Sequence, residues 1–171
     1  MSVKYTEELR PTLQCKTFSL GSFDKYKYVV ICSYYEGRYM LSRHSKRTTW
    51  ETQGGHIEAG ETPMEAAKRE LYEESGVTDV EIIPVCDYNA WCDAGDANGV
   101  VFAAVVNTPG ELPESEMAEV KFFDKLPEEL TYPLVTPVLF EETAKAARKF
   151  YYMKQVEGME FNQDRLLSEF N

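Results

Sequence analysis

Residues 55–77 run GHIEAGETPMEAAKRELYEESGV, and within them lie the start, the stop and the two working faces of one helix. Thr62 with Glu65 three positions on forms a capping box, Pro63 takes the first helical position, and Ser75-Gly76 supplies the stop, so a helix is predicted over 63–75. At about 100° per residue, Met64, Ala67 and Leu71 fall together as a packing face, while Ala66, Glu70, Glu73 and Glu74 share the neighbouring one. The acids stand where a helix tolerates them least. Glu70 meets Glu73 and Glu74 at i,i+3 and i,i+4, where like charges cost about 0.2–0.5 kcal/mol per pair. Glu73 and Glu74 also lie in the last turn, where the negative end of the macrodipole disfavours each by roughly 0.3–1 kcal/mol. Arg69, four residues before Glu73, relieves part of this, but one guanidinium does not neutralise three carboxylates. A solvated acidic face is the ordinary explanation of such a helix; these energetics favour a divalent cation instead. Hard oxygen donors suit Mg²⁺ or Mn²⁺, and the lack of any Cys/His cluster argues against zinc.

Just before the helix, Gly54-Gly55 lets the backbone take positive φ and brings carbonyls or amides close to a ligand that a side chain would block. Upstream, the aromatic and β-branched run from Tyr26 to Tyr35 and the run from Arg38 to Ser42 read as two strands about a Glu36-Gly37 turn. Downstream, Val80 to Trp91 and Val100 to Asn107 are β-rich on either side of the turn-forming DAGDANG, and Glu119 to Phe123 is a short strand. Three prolines make 127–137 a loop. From Val138 to about Lys154 the pattern turns helical, with Leu139, Ala146, Phe150 and Met153 on one buried face. With no repeat and no Pro/Gly/Ser-rich linker, the chain reads as one domain over 1–171, with 1–20 an N-terminal extension or strand and 138–171 a C-terminal helical region.

The 171 residues are 43% hydrophobic and carry a net charge of −11, which excludes global disorder. An acidic chain with a pI near 4.7 repels polyphosphate backbones and anionic membranes, so any phosphate-bearing partner needs a cation, and a nucleic-acid polymer is not expected. No apolar run approaches the roughly 20 residues that span a bilayer, and no leader is recognised at the start. Cys15, Cys32, Cys86 and Cys92 form no CxxC pair, which reads as reduced thiols and a cytoplasmic location.

Gly55, Glu61, Arg69-Glu70, Leu71, Glu73-Glu74, Gly76 and Val77 together match every specified position of the Nudix hydrolase signature, which this stretch therefore resembles. A chance match is on the order of 10⁻⁷ from residue usage. The one departure is Gln53, where many members have proline. The resemblance implies an α/β (α+β) fold, an α/β/α sandwich with a mixed central sheet flanked by helices, and Mg²⁺-dependent hydrolysis of a phosphoanhydride in a nucleotide. By the same resemblance Glu73 and Glu74 are core metal ligands, Gly55 offers its carbonyl, Glu70 is a further ligand or the base that activates water, and Glu61 and Arg69 are supports, with Arg69 orienting Glu73. Glu119 resembles the distal acid that some members use, with Glu116 the runner-up.

Arg38, Arg43, His44, Lys46 and Arg47 form the densest basic patch, and Arg43 and Arg47 are the candidates for phosphate contact. Trp50, Tyr88 and Trp91 are candidates to stack on a base, with core packing the alternative; His44 and His56 read as hydrogen-bonding loop residues. RTTWETQGGHIEAGE resembles members acting on oxidised purine triphosphates such as 8-oxo-dGTP. A nucleoside triphosphate is thus the leading substrate, cleaved to the monophosphate and pyrophosphate. A nucleoside diphosphate sugar or dinucleoside polyphosphate is the alternative, and a catalytically silent nucleotide sensor a third reading. The oligomeric state, monomer or homodimer, is left open.

Overall fold

The computed structural model describes residues 6–156. Helix α1 (Pro63–Ser75) occupies the segment its caps predict: the Thr62 side chain accepts from the Glu65 N–H, and the Glu65 side chain accepts from the Thr62 N–H. Gly76 ends it in the left-handed region at φ 76°, a conformation in which a side chain is strained.

Seven strands form one mixed sheet: β1 (Gln14–Phe18), β2 (Tyr28–Tyr35), β3 (Arg38–His44), β4 (Gln53–His56), β5 (Val80–Cys92), β6 (Gly95–Val106) and β7 (Met117–Phe123). Their order is β1-β5-β6-β2-β3-β7, with β4 paired to β2 off this path. Among these strands only β2 and β6 run parallel; the remaining pairs are antiparallel. Helix α2 (Thr136–Val156) completes the order. Its expected continuation to 171 lies outside the described residues, as does the start of the N-terminal region.

The two helices take opposite faces. Ala66, Ala67 and Leu71 of α1 pack on Val29, Ile31 and Phe102, while Leu139, Phe140 and Ala147 of α2 pack on Tyr34, Leu41 and Val101. Adjacent residues of β2 and β3 serve different cores because side chains alternate along a strand. The architecture is therefore an α/β/α sandwich. Among the described residues no helix is long and apolar enough to cross a membrane.

Three local expectations need correction. The DAGDANG segment is mostly strand: only Asp93 and Ala94 turn, and Asp96 to Gly99 continue β6 opposite β5. Asn98 holds it there, donating to the Lys25 carbonyl at 3.0 Å and accepting from the Lys27 N–H at 3.2 Å. Helix α2 begins at Thr136, so Pro137 sits in its first turn, where its missing N–H is no loss. Gly54 and Gly55 belong to strand β4, and neither has positive φ. What they need is closeness: a Cβ on Gly54 would stand 2.5 Å from the Val29 carbonyl oxygen, and one on Gly55 would collide with the Glu70 carboxylate.

Candidate active site

Strand β4 delivers Gly55 against the middle of α1, and the acids gather at this contact. Arg69 is the hub. Its Nε donates to Glu61 at 2.6 Å, its Nη1 to Glu70 at 2.7 Å and Glu73 at 3.3 Å, and its Nη2 to Glu61 and the His56 carbonyl, both at 3.0 Å. The hydrogen bonds to Glu61, with the one to Glu70, raise the Arg69 pKa further above its already high value. The guanidinium is thus a fixed charge that ties the approach loop to the helix.

Glu70 and Glu74 are the frustrated pair. Burial pushes the Glu70 carboxyl above the usual carboxylate range despite its bonds to Arg69, and the Glu73 charge adds to the rise. Burial also pushes Glu74 well above that range, with the charges of Glu70 and Glu51 and a hydrogen bond to Glu70 acting in the same direction and a backbone bond with Gly54 opposing. Glu73, half exposed, faces Arg69.

Glu51 and Gln53 are the buried polar residues of this corner that sequence reasoning misses. Glu51 is buried and takes a bidentate pair of bonds from Arg47 Nη1, both at 3.1 Å, on the side towards Glu74. The i,i+4 spacing of Arg47 and Glu51 is its only signal in the sequence. Gln53, fully buried, accepts from Ser33 Oγ at 2.7 Å and donates to Ser42 Oγ at 2.8 Å; Ser42 in turn donates to the Glu74 carbonyl at 2.9 Å. This relay ties the last turn of α1, whose carbonyls lack helical partners, to strands β2, β3 and β4.

A cavity of about 480 Å³ opens beside Gly54 and Gly55 on the α2 side of the sheet, with Arg10, Glu51, Tyr28, Tyr88 and Tyr132 among its walls. The His56 ring lies against Tyr28 at 4.3 Å between centroids. Of the aromatic residues expected to stack on a base, Tyr88 lines this cavity, whereas Trp50 and Trp91 do not. Trp50 instead packs edge-on against Phe123 at 5.1 Å, under the guanidinium of Arg43 at 5.9 Å. Arg43 donates to Glu119 at 3.3 Å, so one proposed phosphate contact and the proposed distal acid are paired with each other on β3 and β7. Arg47 is shared between Glu51 and Glu7. His44 bonds the Lys46 N–H at 3.1 Å.

The donor chemistry of the corner fits a hard divalent cation: oxygen donors only, carboxylates pressed together under burial, and a glycine carbonyl strand flush against one of them. Among the described residues no three His, Cys, Asp or Glu side chains are gathered closely enough to hold an ion, and Arg69 bonds both Glu70 and Glu73.

A family model for the NUDIX domain matches residues 25–152. The chain belongs to that family. The RNA pyrophosphohydrolase of Francisella philomiragia is 42% identical over 50 residues, covering 28% of this chain and 32% of that protein. The chain thus matches about a third of the length of that curated relative. Among solved structures, a Bacillus subtilis pyrophosphohydrolase superposes with a TM-score of 0.66 at 21% identity, over 78% of this chain and 90% of that one. A UDP-X diphosphatase gives 0.62 at 20% identity, over 84% and 70%. At such identities the likeness of these structures is one of fold. The Nudix signature coincides with β4, the loop after it and α1, which is where Gly55, Arg69 and the acids meet.

Proposed function

We propose that this Nudix domain is a divalent-metal-dependent hydrolase of a nucleotide phosphoanhydride, with a nucleoside triphosphate as its leading substrate and the monophosphate and pyrophosphate as products. The observation that carries the reading is the adjacency of the cavity wall at Gly54-Gly55 to the self-repelling carboxylates of α1. A cavity of about 480 Å³ lined by tyrosines suits a base and ribose, and its wall at Gly55 is the strand against which the Glu70 carboxylate packs.

Glu70, Glu73, Glu74 and the Gly55 carbonyl would hold Mg²⁺ or Mn²⁺, which supplies charge neutralisation of phosphate oxygens and acidifies the attacking water. Where Glu70 serves as the base rather than as a ligand, it would take the proton of the attacking water as the water oxygen bonds to phosphorus and the phosphoanhydride bond breaks, releasing pyrophosphate. Arg69 keeps Glu70 and Glu73 oriented, and the Gln53 relay fixes the turn that carries Glu74. Arg47, hydrogen-bonded to the cavity residue Glu51, is the nearer of the two candidate phosphate contacts; Arg43 stands apart with Trp50 and Glu119.

The test is a panel with Mg²⁺: ordinary nucleoside triphosphates, 8-oxo-dGTP, a nucleoside diphosphate sugar, a dinucleoside polyphosphate and a 5′-triphosphorylated RNA. The RNA is included because curated relatives bear that activity in their names and an RNA 5′ end carries the same triphosphate. Release of pyrophosphate that is lost in Glu73→Gln supports the reading. Binding without turnover on any substrate favours a nucleotide sensor, and unchanged turnover in Glu73→Gln removes the metal-site assignment.

A further inference from the structure

Beside the cavity, whose wall includes Arg10, two guanidiniums converge on one carboxylate. Glu7 accepts from Arg10 Nη1 at 2.6 Å and, through both oxygens, from Arg47 Nε at 3.1 and 3.2 Å. We propose that Arg10 and Arg47 form a clamp for a phosphate group of the bound nucleotide, and that Glu7 is the chain's own anion, occupying the clamp until that phosphate displaces it. The inference rests on the nucleotide reading above and extends it to a segment outside the family match, which begins at residue 25.

The two sides of this contact are built differently. The side chains of Arg47 and Arg10 are 11% and 19% exposed, whereas that of Glu7 is 65% exposed. Arg47 is anchored from behind by its bidentate contact with Glu51. Arg10 is placed by a 3-10 turn at Arg10–Thr12, by buried Leu13 and by the pairing of β1 with β5. The cations are part of the scaffold, and the carboxylate is a surface group reaching in. An ion pair with one exposed member is weakly held. Without Glu7, Glu51 is the one carboxylate that the described ion pairs leave to these two guanidiniums, with the Tyr132 side chain against Arg10. Positive charge would then stand uncompensated beside the cavity of an acidic protein. Forked guanidinium donors match a phosphate at least as well as a carboxylate, and a phosphate brings more charge and a further acceptor oxygen. The position also suits the chemistry: Arg10 and Glu51 both line the cavity, and Glu51 lies towards Glu74.

Calorimetric titration in EDTA, where no metal-dependent turnover occurs, tests this with inorganic pyrophosphate, ATP and adenosine as probes. Glu7→Gln, a conservative surface change, is expected to tighten pyrophosphate and ATP about three- to tenfold, and Arg10→Gln to weaken both about tenfold or more. The double variant should bind no more tightly than Arg10→Gln alone, and adenosine should be unaffected throughout. Unchanged or weaker pyrophosphate binding in Glu7→Gln makes Glu7 a structural strap and overturns the proposal. So does an Arg10→Gln variant that binds pyrophosphate normally, or adenosine affinity that moves in step with ATP. Because the titration reads binding without hydrolysis, its failure is separate from a blank result in the substrate panel.

Discussion

At the end of α1, Glu70 and Glu74 share a hydrogen bond under burial, with Glu51 behind them and one arginine to serve Glu61, Glu70 and Glu73. Beside β7, Glu119 is paired one to one with Arg43, and Arg43 and Lys121 both lie over Trp50. Both clusters mix charge with a glutamate of catalytic promise, and both hang from strands that meet in one sheet. They differ in whether the charges balance. The second is satisfied as it stands and exposed to water; the first presses Glu70 and Glu74 together with more negative charge nearby than Arg69 offsets. Unrelieved charge held in place by buried scaffolding is the mark of a site that expects a partner, whereas a matched surface pair is complete without one.

Turnover gives the widest separation between the two. Glu74→Gln is expected to lower kcat with Mg²⁺ by about a hundredfold or more, the scale of losing one preorganised charge-stabilising group, while Glu119→Gln stays within about threefold. A loss at Glu119 as large as at Glu74 would break the comparison and restore Glu119 as the distal base. Next in size is the scaffold itself. Gln53→Leu strands the hydroxyl of Ser33 and takes from Ser42 one of its two bonds in a fully buried layer, and unfolding in urea should show a loss of about 2–3 kcal/mol. The same variant should need more Mg²⁺ for half-maximal activity, because Ser42 loses the bond that aligns it on the Glu74 carbonyl. An unchanged Mg²⁺ requirement would confine Gln53 to stability.

Smaller again is the ligand effect. Mg²⁺ at ten times its Kd adds about 1.4 kcal/mol by mass action, so Tm should rise roughly 3–6 °C in the native protein and much less in Glu74→Gln. An Arg43→Ala variant should keep the full rise, and losing it would tie the β7 cluster to the ion.

Much of the first cluster is legible in the sequence because its signals are local: a capping box, a stop at Gly76, acids at three- and four-residue spacing. The strands β2, β3, β5 and β6 are legible in the same way from aromatic and β-branched runs, whereas the sandwich that holds them is implied only by the family resemblance. What escapes depends on contacts between distant segments. Gln53 gains its role only when β4 lies beside β2 and brings Ser33, twenty positions earlier, within hydrogen-bond reach. Glu7 meets Arg47 across forty positions, and Arg43 meets Glu119 through the register of β3 with β7. The basic patch is only half legible for that reason: composition counts charges, and only the fold pairs Arg43 with Glu119 and Arg47 with Glu7 and Glu51. Gly54 and Gly55 look like a loop because glycine weakens strands, yet the closeness of Val29 and Glu70 requires glycine in this one.

The finest distinction is stability without metal. Burial and neighbouring charges raise the Glu74 pKa on folding above its ordinary 4.5, so the folded state prefers the protonated acid. A group raised in this way contributes its full stability below the unfolded value and loses it as pH climbs through the folded one. In EDTA, therefore, Glu74→Gln should be more stable than the native chain by about 1 kcal/mol near neutrality, the scale of the like-charge and macrodipole terms at that helix end. The gain should shrink as pH falls towards 4.5. Glu119→Gln should do the opposite and lose about 0–1 kcal/mol, less at high salt, since it gives up a favourable exposed pair with Arg43. Two glutamate-to-glutamine changes on one sheet would then move stability in opposite directions. If both destabilise, the α1 acids hold the fold together and the imbalance between the clusters has been misjudged.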